Sequence, residues 1–153
     1  MARDIVLELA NLIRANDPKG YIKLKYSIYD EGDVIDFRDE DFSGIDMTKF
    51  PLPFVVFINC NLRGAIIDQF PIGMRDCNVT ALDLRGQRTI ITAQDCDFSG
   101  MLYDDETLLR SNMEPNSGIS KFSRCKFDSK TKEHFLAQGS IFTDENVDYY
   151  SCM

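Results

Sequence analysis

The side chains best suited to chemistry in this chain are its five cysteines, its single histidine and its many carboxylates. Cys60, Cys77, Cys96 and Cys125 are nowhere closer than 17 positions, whereas zinc ligation favours close pairs of the Cys-x-x-Cys kind. A disulfide framework needs paired geometry and an oxidising compartment, and five thiols leave one over. Cys152 stands apart from the other four. His134 lies between Glu133 and Phe135 with Lys132 near it, and no sequence sign of a waiting nucleophile accompanies it. It reads as a surface residue of a terminal helix. Asp30, Glu31, Asp33, Asp36, Asp39, Glu40 and Asp41 crowd around one cation, Arg38. They lack the glycine and closing glutamate of an EF-hand calcium loop, so the stretch reads as a solvated face or an acidic surface for a basic partner. Neighbouring carboxylates alone give no shifted pKa. No catalytic, metal or cofactor site is assigned.

Four of the cysteines share a place in a pattern. Copies of five residues can be aligned on a central apolar side chain: Glu40-Asp41-Phe42-Ser43-Gly44, Cys60-Asn61-Leu62-Arg63-Gly64, Cys77-Asn78-Val79-Thr80-Ala81, Cys96-Asp97-Phe98-Ser99-Gly100 and Cys125-Lys126-Phe127-Asp128-Ser129. Five residues before each centre stands another apolar residue: Phe37, Phe57, Met74, Ala93 and Phe122. These leaders are 20, 17, 19 and 29 residues apart. A helix would place apolar residues at three and four, and a strand at two. A period of five inside a period near 20 suggests short straight segments meeting at corners, four to a turn, with turns stacked at roughly 4.8 Å. One such unit cannot bury its apolar face alone.

With Asp83-Leu84-Arg85-Gly86 added to these copies, the chain resembles the pentapeptide repeat family over about 36–128. The resemblance implies an all-β solenoid, a right-handed quadrilateral β-helix of about five turns. Its structural core would comprise Phe37, Phe42, Phe57, Cys60, Leu62, Met74, Cys77, Val79, Leu84, Cys96, Phe98, Phe122, Cys125 and Phe127. The cysteines then fill the slot for small inward side chains, where free cysteine packs as a small hydrophobe. Oxidation between neighbouring turns is expected on unfolding. Glu40 and Lys126 depart from the family pattern, and the spacings of 17 and 29 place one shortened side and one loop.

The rest of the chain is read as caps on a single domain, with 1–30 before the coil, 31–128 in it and 129–153 after it. Ile5, Val6, Leu9, Leu12 and Ile13 mark one face of an N-terminal amphipathic helix. Asp17-Pro18-Lys19-Gly20 ends it. The alternation of Ile22, Leu24, Tyr26 and Ile28 predicts a half-buried strand over 21–29. Prolines 51, 53 and 71 suit corners. A short helix over 130–138 would turn Phe135 and Leu136 inward, and 140–142 would be a last strand or cap segment. The loop is placed at 104–118, with one helical turn over 107–110.

Net charge is −8, which argues against nucleic acid as a direct ligand and against an anionic membrane. No apolar run spans a bilayer or forms a signal-peptide core, so the expected compartment is the cytoplasm. The expected function is a non-enzymatic protein-interaction or scaffold module with no cofactor. Loops on rigid scaffolds are where binding concentrates, so Asp104, Asp105, Glu106, Leu108, Leu109 and Arg110 are the candidate contact residues for a protein partner. A homodimer joined through a terminal cap is a further expectation. Two alternatives come from the resemblance: an acidic DNA mimic that occupies the groove of a type II topoisomerase such as gyrase, and a bacterial effector acting through a host protein. The first requires a continuous negative stripe, and the column Asp41, Asn61, Asn78, Asp97, Lys126 is mixed.

Overall fold

The computed structural model describes residues 2–28, 34–51, 54–68, 71–110 and 118–150. Helices α1 (Arg3–Arg14) and α2 (Pro18–Ile28) come first. Five short strands follow: β1 (Ile35–Arg38), β2 (Val55–Ile58), β3 (Ile72–Arg75), β4 (Ile91–Gln94) and β5 (Lys121–Ser123). Helix α3 (Ser129–Ala137) and β6 (Ile141–Thr143) complete the order. The six strands form one sheet in chain order, and every pair is parallel. The register sets Phe37, Phe57, Met74, Ala93 and Phe122 side by side and adds Phe142 as a sixth leader.

Parallel strands need a crossover connection. Here further parallel pairings supply it. One ladder runs from Asp41 through Asn61, Asn78 and Asp97 to Lys126, a second from Asp46 through Ile66 and Asp83 to Leu102, and a third joins Arg88 to Leu108. With the main sheet these ladders make a β-solenoid of about five turns.

Corners need backbone that turns left. Asp39, Asn59, Asp76, Asp95 and Arg124 leave the strands at φ between 50° and 57°, a region that Asn and Asp tolerate better than other side chains. The next corner uses Gly44, Gly64, Ala81 and Gly100, again with positive φ. Between the corners the apolar centres point inward. Phe42, Leu62, Val79, Leu84 and Phe98 are fully buried, as are the leaders Phe37, Phe57, Met74 and Ala93. Ring contacts link the turns, with Phe98 stacked on Phe127 at 4.9 Å and Phe122 on Phe142 at 5.2 Å. Phe127 is only half-buried, being close to the end of the stack.

The N-terminal cap is all helical, which corrects the strand expected over 21–29. Asp17 caps α2, its Oδ1 accepting the Gly20 N–H at 2.9 Å. Pro18 takes the first helical position, where a missing N–H costs nothing. The buried face is Tyr21 and Lys25, one helical turn apart, while Tyr26 is 74% exposed. The Tyr21 hydroxyl donates to the Pro51 carbonyl at 2.8 Å, and its ring meets Phe50 edge-on at 5.3 Å. Helix α1 buries Val6, Leu9 and Ile13 of its expected face together with Ala10, while Ile5 and Leu12 are half-buried. At the other end α3 buries Phe135, but Leu136 is 48% exposed. Successive helical residues point about 100° apart, so only one of the two faces the coil.

Among the expected features, Tyr29, Asp30, Glu31 and Asp33, the 111–117 part of the loop, and Cys152 lie outside the described residues. Among the described residues no helix is long and apolar enough to cross a membrane.

Candidate functional site

The thiol slot forms a continuous column. Cys60, Cys77 and Cys96 are buried and Cys125 is half-buried, and all four are free. Each Sγ lies against the carbonyl oxygen two residues earlier: Ile58 at 3.4 Å, and Arg75, Gln94 and Ser123 at 3.3 Å. The same rotamer therefore recurs in each turn, and the thiols meet one another across turns. The Cys77 thiol bonding to Cys60, together with burial, pushes Cys60 up. Bonds to Cys125 and Cys77 push Cys96 up in the same way. Cys125, as the partner of Cys96, is pulled down. In the first turn the slot holds Glu40, buried and paired with Arg14 of α1. The departure from the repeat at Glu40 is thus the joint between coil and cap. Among the described residues no group of three or more His, Cys, Asp or Glu side chains is arranged to hold a metal ion.

The carboxylates at the repeat positions serve the backbone. Oδ1 of Asp41, Asp46, Asn61, Asn78, Asp83, Asp97 and Asp104 each accepts the N–H two residues on, at 2.9–3.1 Å. These are Asx turns, which satisfy an otherwise unpaired corner donor. Side-chain and backbone bonds from the residue two on hold the Asp41, Asp46 and Asp97 carboxyls below the usual range. Arg85 does so for Asp83, and the Gly86 N–H for Asp104. Other carboxylates are matched by arginine: Asp36 by Arg38, Asp76 by Arg75, and Asp95 by Arg124. A shallow groove along the first ladder is lined by Arg63, Asp76, Asp95, Asp97, Arg124 and Lys126. Its charge is mixed, as its sequence column implied.

The expected loop begins later than 104. Residues 101–110 extend the coil instead, with Leu102 paired to Asp83 and Leu108 to Arg88, and the excursion is closed by an antiparallel bridge between Arg110 and Ile119. No helical turn forms over 107–110. Leu109 is fully buried, as is Thr107, whose hydroxyl donates to the Leu84 carbonyl at 2.8 Å. Leu109 is thus a core residue and not a partner contact. Asp104, Asp105 and Glu106 are exposed, while Leu108 and Arg110 are half-buried. Gln138, at the end of α3, fastens this base. Its Oε1 accepts the Leu109 N–H at 3.1 Å, its Nε2 donates to the Thr107 carbonyl at 2.8 Å, and its own carbonyl accepts from Arg110 at 3.3 Å. His134 is not a plain surface residue. Its ring is half-buried between Tyr103 at 4.8 Å and Phe135 at 4.9 Å.

Sequence reasoning missed what the C-terminal tail does. After β6 the chain turns back across the outside of the sheet. The Arg124 guanidinium donates to the Asp144 carbonyl at 2.8 Å, and the Val147 N–H to Gln94 Oε1 at 3.2 Å. Arg75 donates to the Tyr149 hydroxyl at 2.6 Å, and the Tyr150 hydroxyl donates to Asp36 at 2.6 Å. Where the tail crosses β3, a Cβ on Gly73 would lie 1.8 Å from the Tyr149 carbonyl oxygen. A glycine inside a strand was the available signal, since it marks close approach of another backbone.

No family profile, curated protein or solved structure matches the chain.

Proposed function

We propose that this chain is a non-enzymatic protein-interaction module of the pentapeptide-repeat type, presenting the excursion between Arg110 and Gly118 to a protein partner. The observation that carries this reading is the fastening of that excursion's base by the three bonds of Gln138 to Thr107, Leu109 and Arg110. A fixed base lowers the ordering cost on binding of the segment it holds. Asp104, Asp105 and Glu106 stand exposed beside it and suit a basic partner. The column of repeat leaders in register supports the family resemblance.

The duplex-mimic alternative needs one face of continuous negative charge. Asp83 and Asp95 are paired with arginines, and the first ladder ends in Lys126. Neither face favours it. End-to-end pairing of two copies has one observation in its favour, the unpaired outer edge of β6 flanked by Ile141, 42% exposed, and Leu136. The test replaces 111–117 by a short Gly-Ser linker and compares the proteins captured by the intact and altered chains, with light scattering on both. Loss of the captured partner with an unchanged circular dichroism spectrum supports the reading. An identical set of partners from the folded linker variant rejects it.

A further inference from the structure

The thiol column is closed at one end and open at the other. At its start Glu40 and Arg14 seal it beneath α1. At its finish Cys125 is half-buried and borders a surface pocket lined by Phe122, Arg124, Lys132, Phe142 and Thr143. The groove along the first ladder reaches Cys77 and Cys96, which are only 4% and 3% exposed. Cys125 is therefore the most exposed thiol of the column.

Cys96 and Cys125 stand in register, because Gln94 pairs with Ser123 on one side of them and Asp97 with Lys126 on the other. The Lys126 N–H donates to the Cys96 carbonyl at 3.0 Å between them. In-register neighbours lie about 4.8 Å apart, inside the Cα range that disulfides span. The usual Cβ separation of a disulfide is somewhat shorter, about 3.8 Å. Arg124 is held beside Cys125 by Asp95 at 2.8 Å, and Lys132 lies over the Phe142 ring at 5.3 Å. Cations near a thiol favour the reactive thiolate, while Asp95 opposes them.

We propose that Cys125 and Cys96 form a hydroperoxide-responsive pair, in which Cys125 is the attacking thiol and Cys96 the resolving one. The Cys125 thiolate attacks one peroxide oxygen, the O–O bond breaks, and the other oxygen leaves with a proton as alcohol or water. The sulfur is oxidised by two electrons to sulfenic acid. Cys96 then gives up its proton and attacks that sulfur. The S–O bond breaks, water leaves, and a disulfide links the last two turns.

The experiment treats the reduced full-length protein with hydrogen peroxide under native conditions, quenches with a maleimide and maps every cysteine by mass spectrometry. A Cys152→Ser chain is run alongside to remove the fifth thiol. The expected result is loss of Cys125 labelling at least about tenfold faster than that of Cys60. A Cys96 to Cys125 disulfide should follow, be reversed by dithiothreitol, and leave circular dichroism unchanged. Cys96→Ser should stop the reaction at a Cys125 sulfenic acid that dimedone traps, and Cys125→Ser should protect Cys96. The wild-type map alone decides the order of oxidation if a variant misfolds. Parallel oxidation of Cys60 and Cys77, pairing of Cys125 with Cys152, or oxidation only in urea would each overturn the proposal.

Discussion

The two ends of the coil are built differently. At the N-terminal end α1 covers the edge of β1, and Arg3 donates to the Asp36 and Arg38 carbonyls at 3.5 and 3.1 Å. Tyr21 of α2 lies on Phe50, and Glu40 ties the thiol slot to Arg14. At the C-terminal end, among the described residues, the outer edge of β6 has no strand beside it. Phe127 and Phe142 are half-buried, and the tail leaves along the side of the sheet instead of crossing the end. A parallel stack has two open ends by construction, each an invitation to further pairing. This molecule covers one with helices. It leaves the other with the half-buried thiol of Cys125 beside the apolar fringe of Phe127 and Phe142.

The largest effect should come from the interior that both ends share. Phe98 is fully buried against Phe122 at 5.3 Å and Phe127 at 4.9 Å. Phe98→Asp should cost more than about 4 kcal/mol, by loss of the ring and burial of an unpaired charge, and unfold a domain of ordinary stability. Phe142→Asp, at the open end, should cost roughly 1–2 kcal/mol. Equal losses in urea titrations of the two variants would show that the ends do not differ in packing.

Second comes the sealed joint. Arg14→Ala strands a buried carboxylate and should cost about 1–2 kcal/mol, reduced from the usual cost of breaking a buried pair because Arg14 is 35% exposed. Replacing both residues, as Arg14→Leu with Glu40→Cys, extends the thiol column by one turn and should recover most of that loss. A double-mutant cycle in chemical denaturation measures it. Lys132→Ala at the other end should change stability by under about 0.5 kcal/mol.

The interior was legible in the sequence because the repeat has one side chain per side of the coil. Aligning Phe37, Phe57, Met74, Ala93 and Phe122 reproduces the strand register residue for residue. The sixth leader, Phe142, lies 20 residues after Phe122 and was within reach of the same rule. The caps obey other periods. Ile22, Leu24, Tyr26 and Ile28 alternate like a strand, yet Asp17 and Pro18 begin a helix there, and Tyr21 and Lys25 are the pair one turn apart that it buries. The base of the excursion was misread for a related reason. Thr107 and Leu109 point inward without a Phe or Leu at the usual interval, because that side of the coil closes onto Gln138. The tail left little trace in the sequence beyond Gly73, since it meets the sheet's outer face, which carries no repeat, through single pairs such as Arg75 with Tyr149 and Asp36 with Tyr150.

Gly73→Ala tests the tail separately from the coil. Gly73 has no positive φ, so the penalty falls on contacts, chiefly the Tyr149 carbonyl oxygen at 1.8 Å, with Val56 Cγ2 at 3.2 Å as a lesser one. The expected result is faster hydrogen exchange and proteolysis over 144–150, with global stability lowered by about 1 kcal/mol or less. A rise in exchange throughout β1 to β4 would mean that the tail holds the sheet together and is more than a strap.

The smallest effect at neutral pH belongs to the corner carboxylates, and there the sign of the pH dependence is the test. Asp97 Oδ1 accepts the Ser99 N–H at 2.9 Å, while Asn61 and Asn78 make the same bond in neighbouring turns at 3.0 and 3.1 Å. Asp97→Asn should therefore change stability at pH 7 by no more than about 0.5 kcal/mol. Bonds from the Ser99 hydroxyl and backbone hold the Asp97 carboxyl below its ordinary value. A carboxyl lowered on folding contributes stability above its unfolded pKa of about 3.9, and loses it as pH falls through the lower folded value. The wild-type protein should thus weaken below about pH 4, and Asp97→Asn should weaken less steeply over the same range. Asp41, Asp46, Asp83 and Asp104 are lowered in the same direction, so their Asn variants should flatten the acid limb further. An unchanged acid limb in the multiple variant would mean that the carboxylates serve the surface rather than the corners, and the duplex-mimic reading would regain ground.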